Sequence, residues 1–298
     1  MDSIVASLNS IEYNENVSAR ECTTFRAGGN IRLVVCPRSA DELSFCMKLF
    51  AGTGTEYCFL GNGSDILVPD EGFSGAMIST KNMTEMTCSG NTVTSLCGAR
   101  LSSLVGFAHD NGLVGLEFAG GIPGTVGGGI FMNAGAYDGE LSLFIKEVKT
   151  ADEAGHISTL GVGELDMSYR HSIFMEKKLA VISGTFALMR GDVEAAREKV
   201  RELNARRRDK QPLEFASAGS TFKRPAGHFA GALIEEAGMK GFSIGEAQVS
   251  EKHAGFVINR GGATAEDIIS VIRAVRKAVY EKTGIMLEPE VRLIGGRF

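Results

Sequence analysis

Apolar residues along the first third of the chain change period in a way that predicts a strand, a helix and a second strand. The run at 31–35 is rich in Ile, Leu and Val, as buried strands are. Ser39 followed three residues later by Glu42 predicts a capping box at a helix start. Leu43, Cys46, Met47 and Phe50 then recur at helical spacing, so one face of that helix packs on a sheet. A second strand is expected at 57–60. Residues 61–139 are Gly-rich and show one helical pattern, 101–111, which Gly112 stops; short strands and tight loops should fill the rest.

The second half alternates in the same manner. A strand is expected at 180–189, then a helix at 192–208 with Val193, Ala196, Val200 and Leu203 on one face. A helix at 229–237 ends at Gly238, and the strand-like GFVIN follows. Thr264 and Asp267 form a capping box for a long helix whose buried stripe is Ile268, Ile272, Val275 and Val279, closed by Gly284. Alternation at 286–294 places Leu287, Pro289, Val291 and Leu293 on one face of a last strand, with Glu288, Glu290 and Arg292 on the other. No repeat of fixed period interrupts this order. The expected divisions are 1–75, 76–195, 196–285 and a returning strand at 286–298.

Composition narrows the class. A chain of 298 residues with 44% hydrophobic and 22% charged residues can bury more than one core and should be globular throughout. Its net charge of -5 argues against nucleic acid as a partner. The six cysteines contain no CxxC pair, so reduced and mostly buried thiols are expected. Neither an apolar run long enough to span a membrane nor a secretory leader is visible, which points to the cytoplasm. The distinctive feature is 38 Gly against 6 Pro and no Trp.

Those glycines cluster in two loops. FLGNGSDILVP follows a strand, and amides around Gly61, Asn62, Gly63 and Ser64 could form an anion-binding nest. It is no Rossmann turn, because Pro69 and Gly72 arrive before a helix could start, and no GK[ST] marks a P-loop. The second loop, FAGGIPGTVGGGIFMNAGAYDGE, carries eight glycines between 119 and 139. A tightly packed turn would account for one such loop; two bracketing a single extended dinucleotide account for both.

Arg206, Arg207, Arg208, Lys210, Lys223 and Arg224 lie within 19 residues, opposed only by Asp209 and Glu214, and suit an anionic ligand. A solvated helix end explains the three arginines equally well. The terminal alternation brings a carboxylate toward a site, or simply makes a charged edge strand.

Taken in order, CTTFRAGGN at 22–30, FLGNGSDILV at 59–68, the 119–139 loop, YRHS at 169–172, AGSTFKRP at 218–225, VSEKHAGFVIN at 249–259 and LEPEVRLIG at 287–295 resemble the UDP-N-acetylenolpyruvoylglucosamine reductase (MurB) family over nearly the whole chain. The resemblance implies an α+β protein. Its FAD-binding part would have the fold of vanillyl-alcohol oxidase and the p-cresol methylhydroxylase flavoprotein, with two α/β subdomains, and a C-terminal α/β domain would bind substrate. It also implies non-covalent FAD, NADPH as co-substrate, and reduction of the enolpyruvyl ether of UDP-N-acetylglucosamine to UDP-N-acetylmuramate for peptidoglycan synthesis.

Residue by residue, the resemblance assigns FAD contacts to Leu60, Gly61, Asn62, Gly63, Ser64 and Asp65, then to Gly120, Gly121, Ile122, Pro123, Gly124, Thr125, Val126 and Gly127, and to Ala134, Gly135 and Ala136. Substrate contacts fall on Tyr169, Arg206, Lys210, Lys223, Arg224 and His253. Ser220 resembles the proton donor, Arg170 the enolate-facing arginine and Glu290 its carboxylate partner. Three departures stand out: GNGSD for the commoner GNGSN, Cys22 at the head of CTTF, and Arg224 where GSFFKNP has Asn. The tyrosine-loop insertion of one branch is missing, so the chain resembles the branch without it. His171 and His253, as isolated histidines, also read as hydrogen-bonded structural residues, and no metal is assigned. A monomer or weak homo-oligomer is expected. The alternatives are another flavin oxidase or dehydrogenase of the same fold, and a nucleotide-sugar binding protein without catalysis.

Overall fold

A computed structural model describes residues 2–8 and 10–298. The described residues form eight α-helices: α1 (Asp2–Ser7), α2 (Ala19–Cys22), α3 (Ala40–Gly52), α4 (Leu101–Asp110), α5 (Val126–Phe131), α6 (Val193–Lys210), α7 (Ala230–Glu236) and α8 (Ala265–Thr283). They divide into two compact units. The first takes Met1–Asn14, Leu33–Asn62 and Gly75–Arg206; the second takes Glu15–Arg32, Gly63–Ser74 and Arg207–Phe298.

In the first unit, the strand Tyr57–Leu60 pairs in parallel with Phe73–Ser79, Tyr57 opposite Ala76 and Leu60 opposite Ser79. Helix α3 precedes this pair and buries Leu43, Cys46, Met47 and Phe50 completely, as the periodicity requires. Its N-terminus departs from the expected reciprocal box. Ser39 Oγ accepts the Glu42 N–H at 3.1 Å, but the Glu42 carboxylate reaches past Ser39 to accept the N–H of Arg38 at 2.7 Å. One orphan amide is still satisfied from each direction.

A five-stranded antiparallel sheet completes this unit, in the order Ile157–Gly161, Ile145–Ala151, Ala180–Ala187, Thr92–Leu96, Met86–Ser89. Helix α4 lies where expected, with Leu101 and Leu104 buried and Gly112 following it in the left-handed region at φ +74°. The sequence does not reveal α5, because VGGGIF combines three glycines with low helix propensity. It forms because tertiary contacts hold it. The N–H groups of Val126 and Gly127 donate to the carbonyls of Ala99 and Cys97 at 2.8 Å each, and Thr125 Oγ1 caps Gly128 at 3.3 Å. Ile130 of this helix meets the sheet at Gly184, where a built Cβ would lie 2.6 Å from Ile130 Cδ1. A larger residue there would have to displace the end of the Ile130 side chain.

In the second unit, a four-stranded antiparallel sheet runs in the order Ala216–Ser217, Val257–Asn259, Ala247–Val249, Ser243–Ile244. Helix α8 packs Ile268, Ile272, Val275 and Val279 into a core shared with Leu233 and Ile234 of α7 and with Val257. The predicted Thr264–Asp267 capping box is present in both directions, and Gly284 closes the helix at φ +73°. The predicted last strand is largely extended chain instead. Arg292–Leu293 pairs in parallel with Ile66–Leu67, and Pro289 makes an isolated antiparallel bridge to Phe222, flanked by bonds from the Lys223 N–H to the Glu288 carbonyl and from the Glu290 N–H to the Thr221 carbonyl. The alternation itself holds: Leu287 and Val291 are buried while Glu288 and Arg292 are exposed. All six cysteines are free thiols; Cys36, Cys46 and Cys97 are buried, and burial pushes the last two up to about 12. The other three are half-buried, fewer buried thiols than expected.

Helix α8 has a further N-terminal partner that local sequence does not show. The Asp70 carboxylate accepts the N–H groups of Ala265 and Glu266 at 2.8 and 2.9 Å, so together with Thr264 it serves the first three amides of the helix. Asp70→Ala should therefore destabilise the protein by about 1–2 kcal/mol in chemical denaturation, the range for loss of a capping side chain. An unchanged midpoint would mean that water serves those amides as well as the carboxylate does.

Candidate functional site: glycine loops, a strained arginine turn and a serine beside a histidine

In the first unit the two glycine-rich loops meet. A Cβ built on Gly61 would lie 2.5 Å from Thr125 Oγ1, and Asn62 Nδ2 donates to the Pro123 carbonyl at 2.7 Å. Loops separated by more than sixty residues are thus locked edge to edge, each presenting main chain rather than side chain. In the second unit, the CTTF segment braces the loop's next residue. Gly63 has φ +63°, a Cβ on it would strike the Cys22 carbonyl, and its own carbonyl accepts the Thr24 N–H at 3.0 Å. As the sequence predicts, no helix follows this loop; a turn closes from Pro69 to Gly72.

This surface fits an extended dinucleotide such as FAD: amides, hydroxyls and small residues leave main chain open to a pyrophosphate. Val126 and Gly127 can contribute only surface, because their amides are committed to Ala99 and Cys97. Ala134 donates to the Gly129 carbonyl at 2.8 Å, and Gly135–Ala136 pairs with Gly139–Glu140 as a small hairpin. Leu60 is buried at the end of its strand, and Asp65 accepts the Arg292 N–H on its backbone carbonyl at 3.0 Å.

Arg170 stands on a tight turn. Ser168 and His171 exchange two backbone hydrogen bonds, at 3.2 and 3.1 Å, and Arg170 between them has φ +53°, a conformation that a Cβ-bearing residue adopts at a cost. Its guanidinium donates to the Gly135 carbonyl at 3.1 Å and lies 5.1 Å from the exposed Tyr169 ring. Asn133 is buried behind this turn with φ +42°. Its Nδ2 donates to the Ser168 carbonyl at 3.0 Å and its Oδ1 accepts the Ser142 N–H at 3.0 Å, tying the hairpin to the arginine turn. No sequence motif singles out Asn133, although it lies inside the second glycine loop. The same hairpin carries Tyr137, whose hydroxyl donates to the Leu203 carbonyl and whose ring lies 5.2 Å from the Arg206 guanidinium.

In the second unit, Ser220 is exposed, follows Gly219 at φ +75°, and lies with its Oγ 3.3 Å from the Phe222 carbonyl. Two neighbouring segments hold it. Thr221 donates to Gly255 at 2.8 Å and accepts from Glu290 at 2.9 Å, so the backbone of Glu290 is one hydrogen bond away from the residue after Ser220. His253 also comes close: a Cβ built on Gly255 would lie 3.0 Å from the imidazole Cε1 and 3.7 Å from Ser220 Oγ. Lys223 pairs with Glu288, Arg224 lies 4.0 Å from the Phe229 ring and donates to the His228 carbonyl, and Lys210 is exposed at the end of α6.

His253 Nδ1 accepts the Gly255 N–H at 3.1 Å, which places the neutral ring's proton on Nε2. Burial pushes its pKa below the ordinary histidine value, and the positive charge of Lys240 acts in the same direction. The folded state therefore favours the neutral ring. Its contribution to stability is complete above the ordinary value of about 6.5 and is lost as pH falls from there through the lower folded value. A proton NMR titration should place the His253 midpoint below that of an exposed histidine; a midpoint at or above about 6.5 would contradict this environment.

Backbone strain and side-chain role can be separated at Arg170. Both Arg170→Gly and Arg170→Ala remove the guanidinium, but only glycine relieves the left-handed backbone. The glycine variant should be the more stable of the two by about 1 kcal/mol in denaturant titration. Equal stabilities would show that the turn carries no strain.

Comparison with known proteins gives these features their context. Residues 31–161 match the family model described as FAD binding domain, and residues 211–294 match that of UDP-N-acetylenolpyruvoylglucosamine reductase, C-terminal domain. Curated relatives named UDP-N-acetylenolpyruvoylglucosamine reductase include one from Caldicellulosiruptor saccharolyticus, 46% identical over 96% of this chain and 93% of its own length. Another, from Clostridium perfringens, is 49% identical over 91% of this chain and 89% of its own. The crystal structure of the Thermus caldophilus reductase superposes with a TM-score of 0.81 at 31% identity, covering 95% of this chain and 98% of that one. A Physcomitrella patens BBE-like 1 structure, 14% identical, shares the fold over 62% of this chain and 44% of its own with a TM-score of 0.51. The architecture is accordingly α+β, an FAD-binding domain joined to a reductase C-terminal domain. With this identity sustained across nearly its whole length, the chain belongs to the UDP-N-acetylenolpyruvoylglucosamine reductase family.

Proposed function

We propose that this protein is the NADPH-dependent, FAD-containing reductase that converts UDP-N-acetylglucosamine enolpyruvate to UDP-N-acetylmuramate in peptidoglycan synthesis. The observation that carries the proposal is the locked pair of glycine loops, Gly61 against Thr125, inside the segment that matches an FAD-binding family. Bound FAD would supply the two-electron chemistry that links NADPH to the methylene carbon of the enolpyruvyl ether. Leu60 through Asp65, Gly120 through Gly127 and Ala134 through Ala136 would hold it.

The protein's own residues then handle charge and proton. Hydride addition to a double bond conjugated with a carboxylate builds negative charge on that carboxylate, as an enolate. Arg170 suits it: the guanidinium is permanently charged, offers two parallel donors, and is held by the Gly135 carbonyl and the Tyr169 ring. The neighbouring carbon must receive a proton, and Ser220 supplies it from an exposed hydroxyl on a segment braced by Gly255 and Glu290. The balance is one hydride and one proton added across one carbon–carbon double bond. Glu290 assists as the carboxylate partner beside this segment, and Tyr169, Arg206, Lys210, Lys223, Arg224 and His253 engage the nucleotide sugar.

Among the described residues, no helix is long and apolar enough to cross a membrane. We place the activity in the cytoplasm, carried out by a monomer or weak homo-oligomer.

The purified protein should be yellow, bleach anaerobically with NADPH, and regain its colour on addition of the enolpyruvyl nucleotide sugar. Ser220→Ala should leave the first half-reaction nearly intact and slow the second by about 10²–10⁴-fold, the usual loss for a general acid. Equal loss in both halves would remove Ser220 from the proton-donor role. Bleaching without recovery in the unaltered protein would instead favour a flavin oxidoreductase with a different substrate.

A further inference from the structure

The segment that connects the strands Ile157–Gly161 and Ala180–Ala187 of the first unit gathers three metal-ligating side chains with no part in the chemistry above. Asp166, His171 and Glu176 recur at intervals of five residues, a period that belongs to no helix or strand. One ligand atom from each nevertheless lies within 4.8 Å of the other two. His171 Nε2 is 3.4 Å from Asp166 Oδ2 and 3.6 Å from Glu176 Oε1.

Local folding accounts for the convergence. The Ser168–His171 turn reverses the chain, Ile173 donates to the Leu165 carbonyl at 2.8 Å, and Lys177 donates to the Ile173 carbonyl at 3.0 Å. Ser172 Oγ anchors the middle of the segment to the Phe131 carbonyl at 2.6 Å, and Leu165 and Phe174 are buried beneath it. The three ligands therefore stand on a fixed frame, with half-exposed or exposed side chains facing outward.

The cluster is loose rather than tightly paired. A charge-assisted N–H···O contact closes to about 2.7–2.9 Å. Ligands around a tetrahedral zinc ion at about 2.0–2.2 Å lie roughly 3.3–3.6 Å from one another, the edge of the tetrahedron. The His171–Asp166 contact is a long hydrogen bond, and both separations from His171 Nε2 are also compatible with three ligands of one ion. The donor set agrees: one imidazole nitrogen and two carboxylate oxygens suit zinc and its neighbours, and the two negative charges match a divalent ion. We propose that Asp166, His171 and Glu176 form a site for a divalent ion of the zinc class, completed by water, which clamps the turn that carries Arg170. The ion acts on the turn's rigidity, and the two-electron chemistry does not pass through it.

The test uses the full-length FAD-loaded protein, stripped with chelator and titrated with Zn²⁺ by calorimetry. One ion should bind at a site that Asp166→Asn or Glu176→Gln weakens by about tenfold or more, the least expected when a ligand is lost, and that the double variant abolishes. Retained yellow colour confirms that each variant is folded. Zn²⁺ should also slow amide hydrogen exchange at 168–172 in the unaltered protein and leave it unchanged in the double variant. Zinc binding that is identical in protein and double variant, or that leaves exchange at the turn untouched, would overturn the proposal. None of these measurements depends on NADPH or on the nucleotide sugar, so this proposal and the assigned reaction succeed or fail separately.

Discussion

A missing methyl group at Gly61 governs the first unit. With a Cβ there, Thr125 Oγ1 would have to move, and that oxygen is the cap of α5 through Gly128. Helix α5 is too short and too glycine-rich to form alone, so it depends on the Thr125 cap, on the Ala99 and Cys97 carbonyls and on its seat against Gly184. Sequence-distant segments are therefore drawn together by close approaches at Gly61 and Gly184 and by the hydrogen bonds of α5. The result is a rigid surface of main chain, in which amides can face an anion without the ordering cost of long side chains. Binding a dinucleotide on such a surface needs little rearrangement, and this preorganisation is the physical return for so high a glycine content.

The parts of this fold that the sequence discloses are those determined by neighbours in the chain. Helices α3, α4 and α8 announce themselves by apolar period and by terminal signals, and their predicted buried faces are buried. What it hides is determined by distant partners. Helix α5 exists only through contacts from residues 97–99, 125 and 184, and the amides of α8 are served by Asp70, nearly two hundred residues earlier. The terminal alternation is legible because burial sets it, whereas its pairing is not, because pairing requires a neighbouring strand that only the fold supplies. Among candidate site residues, the motifs single out Arg170 and Ser220, yet nothing local foretells that Asn133 ties the arginine turn to the hairpin or that His253 and Ser220 both lie around Gly255.

The basic residues between 206 and 224 look different once their neighbours are known. Arg206 lies against the Tyr137 ring and 3.9 Å from Glu202, Lys223 pairs with Glu288, and Arg224 lies over Phe229. What the sequence presents as a run of charge is a set of individually oriented cations. Exposed pairs of this kind contribute about 0–1 kcal/mol, so an arriving diphosphate can replace a carboxylate partner at small cost. The aromatic contacts orient a guanidinium without neutralising it, which keeps its charge available. Partners this weak fix direction and still yield to a more highly charged ligand.

The strain at Arg170 is intelligible on the same scale of magnitudes. A left-handed backbone at a residue with a Cβ costs roughly 1–2 kcal/mol, and glycine would remove that cost. A donor aimed at a developing oxyanion, by contrast, lowers a barrier by about 2.7–4 kcal/mol. In the role proposed for Arg170, stability favours glycine at this turn and reaction rate favours arginine, and the expected lowering of the barrier exceeds the cost in stability. The left-handed conformation also has a directional consequence: it carries the Cβ out of the course an extended strand would give it, and the side chain reaches the Gly135 carbonyl across the turn. Asn133, buried with a left-handed backbone of its own, holds the Ser168 carbonyl and keeps the turn from relaxing. Strain persists only where the surroundings over-determine it, and here the two hydrogen bonds between Ser168 and His171, the Asn133 side chain and the Ser172–Phe131 contact supply that constraint.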